Sequence, residues 1–228
     1  MEDLDKELGP LIENFRNLVK EAKEKKLNLV ELKLFLEALN ERPFWYDFAL
    51  TQLLLAGRVQ EVAGLQKKNI DFRQRKLIVK EVAIWSKKTK RFDELKLMPK
   101  NGEIREVYLG DELLKILKKR IDEDSFNTGF VFHDNGQPLG YRQIQYNYDW
   151  ALEKAGLGDR FSGTHILRHS MATLTRQVTG SLNSTQAVTG HKDFKLVQHY
   201  AALDNEENKK AIMAVSGLIG IGAGAKAE

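Results

Sequence analysis

Between Thr164 and Tyr200 the chain sets down an imidazole, a guanidinium three residues on, a second imidazole after a glycine, and a phenol nine residues later. These are His165, Arg168, His191 and Tyr200. Far upstream stand Arg58 and Glu61, and Lys100 lies in the run Pro99-Lys100-Asn101-Gly102. Two arginines and two imidazoles can surround one phosphodiester and donate to its non-bridging oxygens, Arg bidentately and without losing its charge. In a displacement at phosphorus the equatorial oxygens gain negative charge, so donors fixed in advance act where the transition state needs them. A tyrosine phenolate is a credible nucleophile that conserves the bond as phosphotyrosine. A flexible lysine suits protonation of the leaving alkoxide. The guanidiniums supply the charge, so neither metal nor cofactor is expected. Singly, each signal is ordinary: a His-x-x-Arg is more often a helix-surface pair, and a Tyr near a helix end usually packs.

Periodicity and punctuation predict the elements that must hold these groups. Pro10 to Lys26 carries Leu11, Phe15, Leu18, Val19 and Ala22 at helical spacing. Asn28 is placed to cap a second helix with the stripe Leu29, Leu32, Phe35, Leu36 and Leu39. Pro43 suits the first position of a third, and Phe44 to Ala56 is apolar enough for a helix buried on most sides. Arg58, Glu61 and Leu65 then fall at i, i+3 and i+7, one face of a helix beginning at Val59. There the carboxylate can hold the guanidinium without exhausting its donors; alone, such a pair is a surface contact worth little.

From Asn69 the pattern turns to short strands over 69–72, 76–85, 94–98 and 103–109. The Asn101-Gly102 step predicts a hairpin between the last two, with Lys100 at its tip or shoulder. Lys87, Lys88 and Lys90, on the preceding excursion, compete with Lys100 for the acid role. A lysine-rich helix follows over Asp111–Asp122, then a strand Phe130–Phe132 closed by a turn at Asp134-Asn135-Gly136, then a helix from about Leu139 to Ala155. Thr164 is the expected N-cap of a helix to about Val178, with His165 and Arg168 in a first turn that favours an anion. Further helices are predicted over 182–189, 194–201 and 206–215.

The bulk properties bound the answer. The chain has 228 residues and a formal net charge of +4, enough for one large domain or a domain with an appendage. It has no cysteine, which excludes disulfides and thiolate metal sites. The acidic start lacks an apolar signal core, so a non-secreted protein is expected. No segment is long and apolar enough to span a membrane. Residues 66–105 hold thirteen Lys or Arg against five Asp or Glu, whereas residues 1–40 hold seven against nine. Positive charge concentrated on one segment points to a polyanion, and Lys87, Lys88, Lys90, Arg91 and Arg105 are the residues expected to bind it. His165 and His169 lie at i, i+4, but no Glu stands between them in a zinc-protease pattern.

Taken as an ordered set, these residues resemble the tyrosine recombinase/integrase family. Arg58-x-x-Glu61 with Leu65 is similar to its first-arginine box. Pro99-Lys100-Asn101-Gly102 followed by Arg105-Glu106-Val107-Tyr108-Leu109 is similar to the hairpin that carries its lysine. His165-Ile166-Leu167-Arg168-His169 resembles its H-x-L-R-H box, Gly190-His191 its L-G-H box, and Tyr200 stands at the nucleophile's spacing. The chain departs from the family in Ala56-Gly57-Arg58 where T-G-L-R is usual, and in a long stretch between Arg58 and Lys100.

The resemblance covers roughly residues 28–215 and implies an α+β, mainly α-helical catalytic fold with a small antiparallel sheet. It implies that Arg58, His165, Arg168 and His191 hold the scissile phosphate, that Lys100 protonates the 5′ oxygen, and that Tyr200 forms a 3′-phosphotyrosyl link. Glu61 would position Arg58. It also implies site-specific recombination or integration of mobile DNA, with double-stranded DNA and a homo-tetramer as partners. The C-terminal helix would then either dock on a neighbour or close its own domain. The expected setting is the cytoplasm of a prokaryotic cell, or a virus or mobile element. Residues 1–27 are expected to be an N-terminal arm or the remnant of a DNA-clamping domain, and 28–228 the catalytic domain, so the chain would be a fragment or a short form.

Other classes remain open at this point. A type IB topoisomerase would use the same residues to relax DNA without exchanging partners. A non-catalytic DNA-binding protein of the same fold would not need the nucleophile. An RNA-binding module would show stacking motifs, and none is present.

Overall fold

The structure, a computed structural model, describes residues 26–97, 104–189 and 205–220. Helix α1 (Leu29–Leu39) begins where local chemistry dictates. Asn28 Oδ1 accepts from the Glu31 N–H at 3.0 Å, and Glu31 Oε2 accepts from the Asn28 N–H at 2.8 Å. This reciprocal cap satisfies two orphan donors and contributes about 1 kcal/mol. Its stripe Leu32, Phe35, Leu36 and Leu39 is buried. Pro43 opens α2 (Pro43–Leu54), in which every residue from Asp47 to Leu54 is buried.

Helix α3 (Val59–Ala63) is a single turn, ended by Gly64. A Cβ at Gly64 would meet the Ala83 nitrogen at 2.7 Å, so glycine is required for the next strand to pass. The helix therefore stops short of Leu65, which lies beyond it and pairs its carbonyl with Val131 N–H at 3.0 Å. The expected i+7 face ends at Glu61.

Among the described residues all strand pairs are antiparallel. One sheet orders β1 (Ile70–Asp71), β2 (Lys76–Val79) and β5 (Arg105–Tyr108); a second pairs β3 (Glu81–Trp85) with β4 (Phe92–Leu97). The expected single strand 76–85 is thus broken at Lys80. Val79 faces Arg105 and Glu81 faces Leu97. Consequently β4 and β5 pair with β3 and β2 rather than with each other, unlike the expected hairpin; its Asn101-Gly102 tip lies outside the described residues. The β3–β4 hairpin turns instead through Lys87–Lys90, closed by Ser86 N–H to Arg91 O at 2.9 Å. It docks through the Trp85 indole, which donates to Leu139 O at 2.8 Å and packs on Tyr141.

Helix α4 (Asp111–Asp122) buries Leu113, Ile116 and Leu117. The expected strand at Phe130 is reduced to one bridge, Phe130 with Gln66. The turn prediction holds: Asn135 and Gly136 both have positive φ, joining β6 (His133–Asp134) to β7 (Gln137–Pro138). Then come α5 (Tyr141–Lys154), α6 (Ile166–Thr179), α7 (Leu182–Thr189) and α8 (Asn205–Ile219). Phe35, Phe48 and Tyr148 meet edge to face in the core between α1, α2 and α5. Ala211, Ile212, Val215 and Ile219 of α8 are buried on this same chain, so this helix closes its own domain. Among the described residues no helix is long and apolar enough to cross a membrane. The expected helices over 10–26 and 194–201 fall wholly or almost wholly on residues outside the described ones.

Candidate functional site

Three consecutive main-chain carbonyls between α2 and α3 organise the site. Leu55 O accepts from Arg105 Nη1 at 2.9 Å, Ala56 O from Arg168 Nη1 at 2.6 Å, and Gly57 O from Gln52 Nε2 at 3.2 Å. Ala56 has φ +43°. A residue with a Cβ pays roughly 1–2 kcal/mol for the left-handed region, and here the turn aims its carbonyls at two buried guanidiniums. The next residue is Arg58, at the N-cap of α3 with its side chain 41% exposed.

Glu61 lies beneath that arginine. Its Oε1 accepts from Arg58 Nη1 at 2.9 Å, and its Oε2 from the Arg58 main-chain N–H at 3.1 Å and Arg105 Nη2 at 3.0 Å. Burial works against its charged form, but the Arg105 and Arg168 guanidiniums outweigh it, so the carboxyl sits below its usual range. Arg168 is 3% exposed. Burial, then repulsion from Arg58 and Arg105, brings it down to about 10 despite Glu61, leaving it cationic at neutral pH.

His165 and Arg168 are brought beside Arg58 by the start of α6, with a difference from expectation. The N-cap position is His165, not Thr164. Thr164 is 1% exposed, and its carbonyl accepts from Gln52 Nε2 at 2.8 Å. Gly163 turns the chain at φ +82°, drawing Thr164 into the core and leaving His165 at the surface. Partial burial, then His169, Arg168 and Arg58, hold the His165 imidazole below its ordinary range; Glu61 opposes them weakly. It is therefore a neutral donor at pH 7, one turn before a buried cation. Neutral His165, cationic Arg58 and cationic Arg168 form a partly open, electropositive site, suited to one phosphodiester.

The remaining expected residues divide. Lys87, Lys88, Lys90 and Arg91 are exposed at the β3–β4 tip, and none forms an ion pair among the described residues. Arg105 corrects the expectation that it binds DNA. It is 4% exposed, and its donors go to Leu55 O, Glu61 and Val188 O, the last at 3.2 Å. With Nη1 shared by two main-chain carbonyls and Nη2 on Glu61, its fork is directed into this chain rather than toward a duplex. The signal was in the sequence: Arg105, Val107 and Leu109 alternate along one strand, so Arg105 shares their inward face. Lys100, His191 and Tyr200 lie outside the described residues.

Gln52 was missed. It is fully buried, donates to Gly57 O and Thr164 O, and accepts from Tyr148 Oη at 2.6 Å. It thereby fastens the Arg58 loop to the His165–Arg168 helix. A glutamine among the leucines of a mostly apolar helix demands partners, and that demand is the available clue.

A sequence model of the phage integrase family matches residues 25–207. The tyrosine recombinase XerC of Chromobacterium violaceum is 33% identical over 114 residues, covering 48% of this chain and 38% of that protein. The tyrosine recombinase XerC of Actinobacillus pleuropneumoniae is 26% identical over 164 residues, covering 69% of this chain and 47% of that protein. The chain therefore spans less than half the length of these relatives. A structure of the Tn1549 transposon integrase with transposon right end DNA superposes with a TM-score of 0.62 at 18% identity. That match covers 84% of this chain and 66% of the other, and shows a shared fold.

Proposed function

The chain belongs to the phage integrase family, and from that premise we propose that it cleaves and rejoins DNA site-specifically through a 3′-phosphotyrosyl intermediate. The observation that carries this is the convergence of Arg58, His165 and Arg168 around Glu61, from segments more than a hundred residues apart. In this reading Arg58, Arg168, His165 and His191 donate to the non-bridging oxygens of the scissile phosphate. Tyr200 Oη attacks phosphorus, the P–O5′ bond breaks, and Lys100 delivers the proton to the departing 5′ oxygen. Rejoining is the reverse, with a 5′ hydroxyl displacing the tyrosine. Lys87, Lys88, Lys90 and Arg91 contribute diffuse attraction to the duplex.

Residues 28–228 act as the catalytic domain, with 1–27 as an arm. The relatives' names, tyrosine recombinases and a transposon integrase, favour integration or excision of mobile DNA over simple relaxation. Exchange between two duplexes would take a homo-tetramer, working on DNA in a prokaryotic cell or for a mobile element. The burial of Ala211, Ile212, Val215 and Ile219 favours a closing role for α8 over docking on a neighbour.

The experiment is covalent trapping. A duplex nicked near the cleavage position loses its short 5′-hydroxyl fragment and strands the protein–DNA adduct. The adduct should form with chelator present and disappear in Tyr200→Phe. Trapping by Tyr200→Phe, or its abolition by chelator, would defeat the mechanism.

A further inference from the structure

Glu61 has a second guanidinium on it, Arg105, which charge alone groups with the DNA-binding residues. A carboxylate 1% exposed stays ionised only if charge and donors inside the protein replace the water it lost. Arg58 alone is a poor provider. It is the exposed member, and every donor it commits to Glu61 is withheld from a phosphate. Arg105 approaches the same carboxylate from the interior, through Nη2 to Oε2 at 3.0 Å. The buried Arg105–Glu61 pair is then nearly neutral as a unit. The positive charge left over belongs to Arg58 and Arg168, which border the open site.

Arg105 also joins three segments. Its Nη1 holds Leu55 O at 2.9 Å and Val188 O at 3.2 Å. Leu55 begins the carbonyl turn that leads to Arg58, and Val188 lies three residues before His191. Arg105 itself opens β5, facing Val79. A fork with fixed donor directions meets all three acceptors, whereas an ammonium on a flexible stem meets one or two.

We propose that Arg105 is a positioning residue for cleavage: it keeps Glu61 charged and frees the Arg58 guanidinium for the phosphate's non-bridging oxygens. This rests on the proposed role of Arg58 as a phosphate ligand. Arg105 touches neither the DNA nor the reacting atoms.

The test separates charge stabilisation from folding. Single-turnover covalent complex formation is measured on two nicked duplexes. One carries the natural scissile phosphodiester, and the other a methylphosphonate, in which a methyl group replaces one charged oxygen. With that charge gone, a clamp that neutralises it is no longer needed. Arg58→Ala should lose about 100-fold or more on the phosphodiester and only a few-fold on the methylphosphonate. Arg105→Met should follow the same split, with a smaller total loss of about 30-fold, because Arg58 remains but is drawn onto Glu61. Arg105→Lys preserves the charge, guards against a failure of the methionine variant to fold, and should show the split at about 10-fold. Equal losses on both substrates by the two Arg105 variants, or no loss on the phosphodiester, would overturn the assignment while Arg58→Ala still shows the split. If Arg58→Ala shows no split, or the wild type forms no adduct, the phosphate-clamp reading fails and this inference with it.

Discussion

Two basic regions of the molecule use the same residue types in opposite ways. Around Glu61, Arg105 and Arg168 are buried, and their donors go to main-chain carbonyls or a carboxylate. At the β3–β4 tip, Lys87, Lys88, Lys90 and Arg91 stand in solvent without ion pairs among the described residues. A buried guanidinium is costly to install, and its reward is a fixed direction: it cannot reorganise away when charge develops on a substrate. An exposed lysine costs nothing to install and has no fixed direction, so it attracts any polyanion and is screened by salt. The first arrangement suits a transition state, the second an encounter.

That contrast can be broken or sharpened by substitution. The largest effect is expected for Arg168→Met. It removes a fixed donor from the phosphate site and leaves Ala56 O without its partner, so covalent complex formation should fall by about 10²–10³-fold. Single-turnover assays check this, and a loss under tenfold would place Arg168 outside the clamp. Next is Gln52→Leu, which strands Gly57 O, Thr164 O and the Tyr148 hydroxyl in the core. Denaturant unfolding should show a loss of about 3 kcal/mol or more, since each buried group left unsatisfied costs roughly 1–3 kcal/mol. Cleavage should also slow under conditions where the variant remains folded, because the two halves of the site lose their fastening. Unchanged stability would mean that Gln52 is dispensable.

Replacing Lys87, Lys88, Lys90 and Arg91 together with Ala should leave stability within about 0.5 kcal/mol of wild type. The salt dependence of DNA binding should flatten by about one unit of slope for each phosphate that these side chains neutralise. A steep loss of stability, or an unchanged slope, would erase the distinction between the two regions.

The smallest effect is a shift in titration. His165 is held below its ordinary range by partial burial and by nearby positive charge. A bound phosphodiester brings negative charge, which favours the imidazolium, so the pKa must rise on binding. By linkage, DNA affinity rises as pH falls through the interval between the bound and free values, and is indifferent to pH above both. Imidazole NMR titration with and without a duplex measures this directly. A shift downward would place the phosphate elsewhere.

Legibility in the sequence followed the range of the interaction concerned. The α1 cap, the Pro43 start and the Asn135-Gly136 turn depend on residues within three positions of one another, and each is where the pattern predicts. The Arg58–Glu61 pair is also local. What the pattern missed is set by distant partners. The end of α3 is fixed by the backbone of β3 passing Gly64. The split at Lys80 comes from β2 and β3 pairing with different strands. Thr164, turned inward at Gly163, is held there through its carbonyl by Gln52, 112 residues away. Charge alone groups Arg105 with its exposed neighbours, whereas its alternation with Val107 and Leu109 places it inside.

The decisive measurement is to identify the residue that carries the DNA. The adduct trapped on a nicked duplex is digested with protease and nuclease, and the nucleotide-bearing peptide is sequenced by mass spectrometry. The linkage should fall on Tyr200, through the 3′ phosphate. A linkage on another residue, or a 5′-linked nucleotide, would contradict the mechanism built around Arg58, His165 and Arg168.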